Sequence, residues 1–446
     1  MDLIGFLPQF GSLLWTLLAF VVALSVIVFV HEYGHYIIGR WSGIRAEVFS
    51  IGFGPKIWSR MDRHGTRWQI AALPFGGYVK FLGDANAASA GADAEALSRL
   101  SPQERRQTMH GAPLWARAAT VFAGPAFNFV LSVLVFAALF MVAGKQTDAP
   151  VVGELVALPD GSGDLRAGDR ILAVGGFETP DYPALNDAVE KVPAAPVMEY
   201  RVERDGQQVT VEGPVLYPAR AVSIAPSSAA YDAGLKAGDV ILSANGAALA
   251  DFAGLRAAVD AAQGNPLALT VWRNGEILDL SLTPRKTDLP LPEGGFETRY
   301  MIGIIGDYSF TPATEALSPF TAVKAAAQQT WFVARSSLSG MWHIVTGAIS
   351  TCNIRGPIGI AETSGAVASQ GFYDFVWFIA VLSTAVGLLN LFPIPMLDGG
   401  HLVFHAWEWA TGRAPSERAL NVLMTLGLMI VVALMAFGLS NDLTCP

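Results

Sequence analysis

Phe29-Val30-His31-Glu32-Tyr33-Gly34-His35 closes an apolar run that begins near Trp15. The last five residues match H-E-x-x-H. On a helix, residues four apart share a face, so His31 and His35 can grip one Zn²⁺. Glu32, next to the first of them, is placed to act as general base on a water molecule. Trp15–Val30 would advance about 24 Å along a helix, which puts His31 at membrane depth. Helix-end histidines facing headgroups are the plainer alternative. Two histidines and a glutamate in lipid are costly, however, and intramembrane ionisable residues are read as functional by default.

The chain has 446 residues, 52% hydrophobic and 15% charged, with a mean hydropathy of +0.41. Soluble domains hold about 45–50% apolar and about 25% charged residues, so part of this chain belongs in lipid. Four segments carry the excess: Leu14–Ile38, Leu114–Val142, Phe372–Leu391 and Leu420–Leu439. Each approximates the ~20 apolar residues that cross a ~30 Å hydrocarbon core. No positive charge precedes the first segment and no small-residue cleavage site follows it, so it is expected to be retained rather than removed as a signal peptide. The connection between the first two segments carries Arg45, Lys56, Arg60, Arg63, Arg67, Lys80, Arg99, Arg105 and Arg106, and that between the last two carries Arg413 and Arg418. Cytoplasmic loops collect such residues. These charges place both termini and the soluble region outside the cytoplasm; a bacterial inner (plasma) membrane with that side periplasmic is the expected setting. A net charge of −9 without a basic stripe excludes nucleic acid as a partner.

The middle of the chain repeats itself. Asp164-Leu165-Arg166-Ala167-Gly168-Asp169-Arg170-Ile171-Leu172 aligns with Gly234-Leu235-Lys236-Ala237-Gly238-Asp239-Val240-Ile241-Leu242, and Val202-Glu203-Arg204-Asp205-Gly206 with Val271-Trp272-Arg273-Asn274-Gly275. Asp205-Gly206 and Asn274-Gly275 are two-residue hairpin turns. Helices are expected over Tyr182–Lys191 and Phe252–Gln263. Both blocks resemble PDZ domains, which are α+β modules that bind extended peptides at a sheet edge. The plainer reading is a pair of packing modules.

Zinc needs a further ligand. The third apolar segment ends in Asn390-Leu391-Phe392-Pro393-Ile394-Pro395-Met396-Leu397-Asp398-Gly399-Gly400-His401, where prolines and glycines break the helix. Such a break at membrane depth is tolerated only in protein or beside a wet cavity. Asp398 is the natural third ligand. His401 and His405, also four apart, form a rival pair read as interfacial.

H-E-x-x-H in a first transmembrane helix with Asn-x-x-Pro-x-Pro-x-Leu-Asp-Gly in a later one resembles the site-2 protease family. The order of parts, including Gly356-Pro357-Ile358-Gly359-Ile360 before the third helix, is similar to its bacterial RseP type. The resemblance implies zinc on His31, His35 and Asp398, Glu32 as base, and Asn390 on the substrate backbone. It also implies a membrane-associated β-hairpin, here Gly52–Pro55 and Arg67–Lys80, whose residues Leu73, Phe75, Gly76, Gly77, Tyr78 and Val79 would meet substrate. The expected activity is hydrolysis of peptide bonds within single-pass transmembrane proteins, such as a trimmed anti-sigma factor or signal-peptide remnants. A catalytically silent membrane PDZ scaffold with a structural zinc is the alternative, and an intact Glu32 argues against it.

The expected organisation is a polytopic α-helical membrane protein with four transmembrane helices and two tandem PDZ domains. In sequence order it comprises the first helix (1–41), a cytoplasmic connection with the β-loop (42–113), the second helix (114–143), PDZ domains over 148–217 and 218–286, and a segment with amphipathic helices (287–371). The third helix (372–398), a cytoplasmic connection (399–419) and the fourth helix (420–440) complete it. Membrane lipids and extended peptides at the PDZ grooves are further expected partners. Cys352 and Cys445 both fall on the non-cytoplasmic side, where a disulfide is chemically allowed; two free thiols are the expectation.

Overall fold

In the computed structural model the described residues are 7–84, 94–161, 163–226, 228–290 and 296–445. They divide into two units, one made of the chain up to Leu139 with Phe320–Val345 and Thr351–Cys445, the other of Phe140–Pro319 with Thr346–Ser350.

The first unit is built on helices α1 (Leu7–Trp41), α2 (Leu114–Ala143), α3 (Pro319–Val345), α4 (Pro357–Gln370), α5 (Phe372–Asn390), α6 (Asp398–Thr411) and α7 (Glu417–Thr444). Among the described residues, four stretches are long and apolar enough to cross a membrane: Leu13–Trp41, Leu114–Ala143, Phe372–Asn390 and Arg418–Thr444. Their apolar side chains point outward as well as inward, Leu14 being 70% and Val142 84% exposed, as befits helices solvated by lipid.

Gly124-Pro125 reads in the sequence as an interruption of α2, yet the helix runs unbroken through it. Proline removes one hydrogen bond, whereas a break at membrane depth would expose several backbone groups at two new helix ends. The segment expected as one span over 372–398 is two pieces. Helix α5 stops at Asn390, the chain turns through residues 391–397, and Asp398 opens α6.

Strands β1 (Ala46–Met61) and β2 (Arg67–Phe81) are longer and more folded than a simple hairpin. Phe49 pairs with both Val79 and Trp68. Partner numbers rise together from Val48↔Arg67 to Ile51↔Ile70, so those runs are parallel, while Ala46↔Phe81 through Ile51↔Gly77 and Trp58↔Ile70 through Met61↔Arg67 are antiparallel. The two strands thus double back into four adjacent runs, with 77–81 on one edge and 58–61 on the other. Gly52 and Gly54, at φ +85° and +84°, make the bend, a conformation natural to glycine.

Cys352 and Cys445, expected as free thiols, are instead joined in a disulfide with Cα atoms 5.6 Å apart. Their approach depends on contacts 90 residues apart that no local pattern announces. Asn441 Nδ2 donates to the carbonyls of Thr351 (2.8 Å) and Ile354 (3.2 Å). The Asp442 carboxylate accepts from the amides of Gly356 (2.8 Å) and Ile358 (3.1 Å), at the start of α4. Closing a loop this long contributes about 2–4 kcal/mol. Protein made in an oxidising compartment and alkylated without reductant should therefore show neither thiol modified by intact mass. Full modification of both would refute the bond.

The second unit holds the repeat as two four-stranded sheets of equivalent strand order, one from residues 170–214 and one from 240–282. Each carries one helix, Tyr182–Lys191 or Phe252–Ala262. Asp205 and Asn274 adopt φ of 53° and 49° in the two hairpin turns, as such turns demand. The repeated Asp and Arg are one device used twice: Arg204 grips Asp169 through Nε and Nη2 at 2.7 and 2.7 Å, and Arg273 grips Asp239 at 2.7 and 2.6 Å. Both carboxylates are buried, and the bidentate fork compensates their loss of water.

Candidate active site

Helix α1 presents His31 and His35 on one face, with their Nε2 atoms 3.2 Å apart. Asp398, in the first turn of α6, brings Oδ2 to 3.1 Å from His31 Nε2 and Oδ1 to 3.5 Å from His35 Nε2. The sequence gathers these three from positions more than 360 residues apart, and among the described residues they form the cluster able to hold a metal ion. Asp398 can reach this point because α5 ends early. Cβ atoms on Gly399 or Gly400 would lie 2.3 Å from carbonyls of the preceding turn, so only glycine lets α6 begin there.

Helix α2 supports the histidines from behind. The outer ring nitrogen of His35, Nδ1, donates to the Thr120 carbonyl at 2.8 Å. His31 Nδ1 lies 3.2 Å from the Asn128 amide, whose Oδ1 is buried and unpartnered when Nδ2 is the atom facing the ring. Exchanging the two amide atoms, an assignment that rests on the hydrogen-bond network, lets Oδ1 accept from Nδ1–H and removes the unpaired oxygen. Both rings then carry their proton on Nδ1 and turn a lone pair on Nε2 inward, the arrangement metal-ligating histidines adopt. Asp398 Oδ2 is also buried without a hydrogen-bond donor, which fits a cation ligand. Two imidazoles and a carboxylate are a donor set that suits zinc in a catalytic site.

Gly124 lies where α2 touches these rings. A Cβ there would stand 2.3 Å from His35 Nε2 and 2.9 Å from His31 Cε1. In the sequence Gly124 reads only as a helix breaker, Asn128 reads equally as helix packing or as a bond to the loop or to a zinc-site neighbour, and Thr120, which acts through its main chain, gives no signal. The one available signal was a lone Asn in an apolar helix. Arg117 on α2 forms a bidentate pair with Glu408 on α6 at 3.0 and 2.6 Å, which ties the helix bearing Asp398 to the helix backing the histidines.

Run 77–81 of β2 passes beside Glu32. A Cβ on Gly77 would meet Glu32 Cγ at 3.2 Å and Val28 Cγ1 at 2.9 Å, and the Val79 backbone hydrogen-bonds the Glu32 carboxylate. Val79 is buried, while Leu73 is 51% exposed. The Tyr78 hydroxyl accepts from Gln69 Nε2 at 3.1 Å, and its ring stacks with Phe53. Gly76, at φ +138°, packs against Phe53 with no space for a Cβ; the Phe75 side chain lies outside the described residues. Asn390 is not drawn into the cluster: its Nδ2 donates to Val386 O one turn back in α5 at 3.1 Å. His401 and His405 follow Asp398 on α6 and stand outside the convergent trio.

The sequence profile of Peptidase family M50 matches residues 19–434, nearly the whole chain. The chain belongs to peptidase family M50. It is a membrane protein and a zinc metalloprotease of the site-2 type, so the silent-scaffold alternative gives way to an enzyme. A protein of Agrobacterium fabrum named as a zinc metalloprotease is 35% identical over 435 residues, 97% of each chain. The Regulator of sigma-E protease RseP of Salmonella typhimurium is 33% identical over 460 residues, covering 97% of this chain and 99% of that one. This M50 chain matches such relatives end to end, so the cluster on α1 and α6 and the repeats both lie within the shared length.

Proposed function

We propose that this M50 protease hydrolyses peptide bonds inside single-pass transmembrane proteins, with His31, His35 and Asp398 as zinc ligands and Glu32 as general base. The observation that carries it is the convergence of the three donor atoms within 4.8 Å, with Glu32 on the same apolar helix and a strand edge beside it. Zinc held there would supply Lewis acidity, polarising a peptide carbonyl and bringing a water's pKa toward about 7. Glu32 then receives the water's proton and delivers it to the leaving amine. The Val79 amide holds the carboxylate in place for both transfers, and Gly77 lets the strand come close enough to do so.

A transmembrane helix hides its peptide bonds in its own hydrogen bonds, so cleavage requires local unwinding. The run Leu73–Val79 would offer an unwound segment replacement bonds by strand addition, and Asn390 could turn from its own helix to hold a neighbouring peptide group. The periplasmic placement of the repeats is supported by the Lys/Arg distribution and by a disulfide on the same side, a bond of oxidising compartments. We assign the repeats as PDZ domains that admit trimmed substrates and exclude bulky ones. The sigma-E regulator name of the Salmonella relative supports a trimmed anti-sigma factor as one substrate, with signal-peptide remnants as another.

Purified protein in nanodiscs should contain one zinc and cleave a single-pass model peptide. A zinc-free preparation active at full rate would overturn the assignment. Leu73→Pro, at an exposed position of the strand, removes one backbone donor and should lower cleavage about 10-fold with zinc retained, a loss near 1.4 kcal/mol. Unchanged turnover would remove strand addition.

A further inference from the structure

We propose that a cavity at the end of α1 binds a phosphate oxyanion, supplied by the headgroup of an anionic phospholipid. The cavity measures about 200 Å³ and is lined by Tyr36, Arg40, Arg45, His64, Thr66 and Gln107 among others, space for several waters. Its donors are cationic or neutral, and among the described residues neither Arg40 nor Arg45 forms an ion pair. Arg40 instead points Nη2 at His64 Nε2, 2.6 Å away, and Nη1 donates to the Tyr36 hydroxyl at 3.4 Å.

The two carboxylates nearby are committed elsewhere. Asp62 accepts from the amides of His64 and Thr66 at 2.8 and 2.9 Å, from Tyr36 at 3.1 Å and from Trp68 Nε1 at 3.0 Å. Glu104, which lies near Arg45, receives the Ser101 amide and hydroxyl at 2.9 and 2.7 Å as a helix cap. Two guanidinium groups without a partner anion therefore face one concave space. Arginine forks match the geometry of phosphate oxygens.

The depth of the cavity selects a lipid over a soluble anion. Trp41 ends the first membrane-crossing stretch and Trp115 lies at the start of the second, and both are exposed, at 73% and 65%. Exposed Trp at span ends marks the headgroup level. Arg40 precedes Trp41, and the Arg45 amide donates to the carbonyl of Gln107 at 2.9 Å, so the cavity lies at the end of the first span, against the connection that leads into the second. Between Arg40 and Arg67 the basic residues are Arg40, Arg45, Lys56, Arg60, Arg63 and Arg67, against Glu47 and Asp62, a surplus that draws anionic lipid to this level. Through Tyr36, Asp62 and Trp68 the cavity is joined to Phe49, on which Trp68 stacks at 4.3 Å. Occupancy would brace the base of the sheet whose far edge flanks Glu32.

Native mass spectrometry of the full chain in detergent, titrated with phosphatidylglycerol, tests the site. Wild type should retain one lipid, and Arg40→Gln/Arg45→Gln should bind it at least about 10-fold more weakly, while Arg60→Gln/Arg63→Gln, with the same charge removed outside the cavity, should match wild type. Zinc content reports folding of each variant, and Arg45→Gln alone replaces the double variant if that loses zinc. Equal loss in both double variants, or loss in neither, would overturn the cavity. Inorganic phosphate titrated in parallel should compete only weakly; competition at equal concentration would overturn the lipid source in favour of free phosphate.

Discussion

Replacing Glu32 by Gln should leave zinc content unchanged and lower cleavage of a transmembrane model peptide by at least about 10³-fold, within the range attributed to a positioned general base. The carboxamide has the shape of the carboxylate and can still meet the Val79 backbone, so the strand beside it keeps its place. What it loses is the ability to take a proton and return it. Because Glu32 stands outside the three donors that converge on the metal position, metal retention and chemistry separate in this one variant. Zinc by elemental analysis and single-turnover cleavage check it. Near wild-type turnover would mean that another group moves the proton.

Gly124→Ala should weaken zinc binding about 100-fold, with cleavage falling in parallel. On helix propensity alone this substitution is favourable by about 1 kcal/mol, so any loss must come from tertiary contact. The added methyl would stand 2.3 Å from His35 Nε2 and 2.5 Å from His35 Cε1, a separation neither α1 nor α2 can keep. The ring must swing away from Asp398, and disturbing what orients a ligating histidine costs about 10–100-fold in metal affinity. Gly340→Ala in α3 is the control, because a Cβ there meets nothing within 4 Å; it should leave zinc and activity alone. Chelator competition measures the affinities. Equal zinc affinity in Gly124→Ala and wild type would mean that α2 does not set the ligand geometry.

Much of this protein was legible along the chain. The membrane-crossing helices announce themselves by length and hydropathy, since a segment in lipid must be apolar on every side and must satisfy its own backbone. The repeat was legible because Asp-Gly and Asn-Gly turns encode φ > 0 locally, and because its Gly-Asp and Arg recur at nearly matching offsets. His31 and His35 lie four residues apart, so their common face follows from the 3.6-residue period, and Glu32 is the neighbour of the first.

Other features depend on parts of the chain that meet only after folding. That Thr120 and Asn128 turn the rings of His35 and His31, that Gly124 makes room for them, and that β1 and β2 fold into four runs are all contacts between distant residues. The same holds for the disulfide, which sequence reading had as two free thiols. A helix or turn is chosen by neighbours a few residues away, and its signal is local. A side chain's partner across two helices is chosen by packing, where a single Cβ or carbonyl decides the spacing and leaves no periodic trace in the sequence.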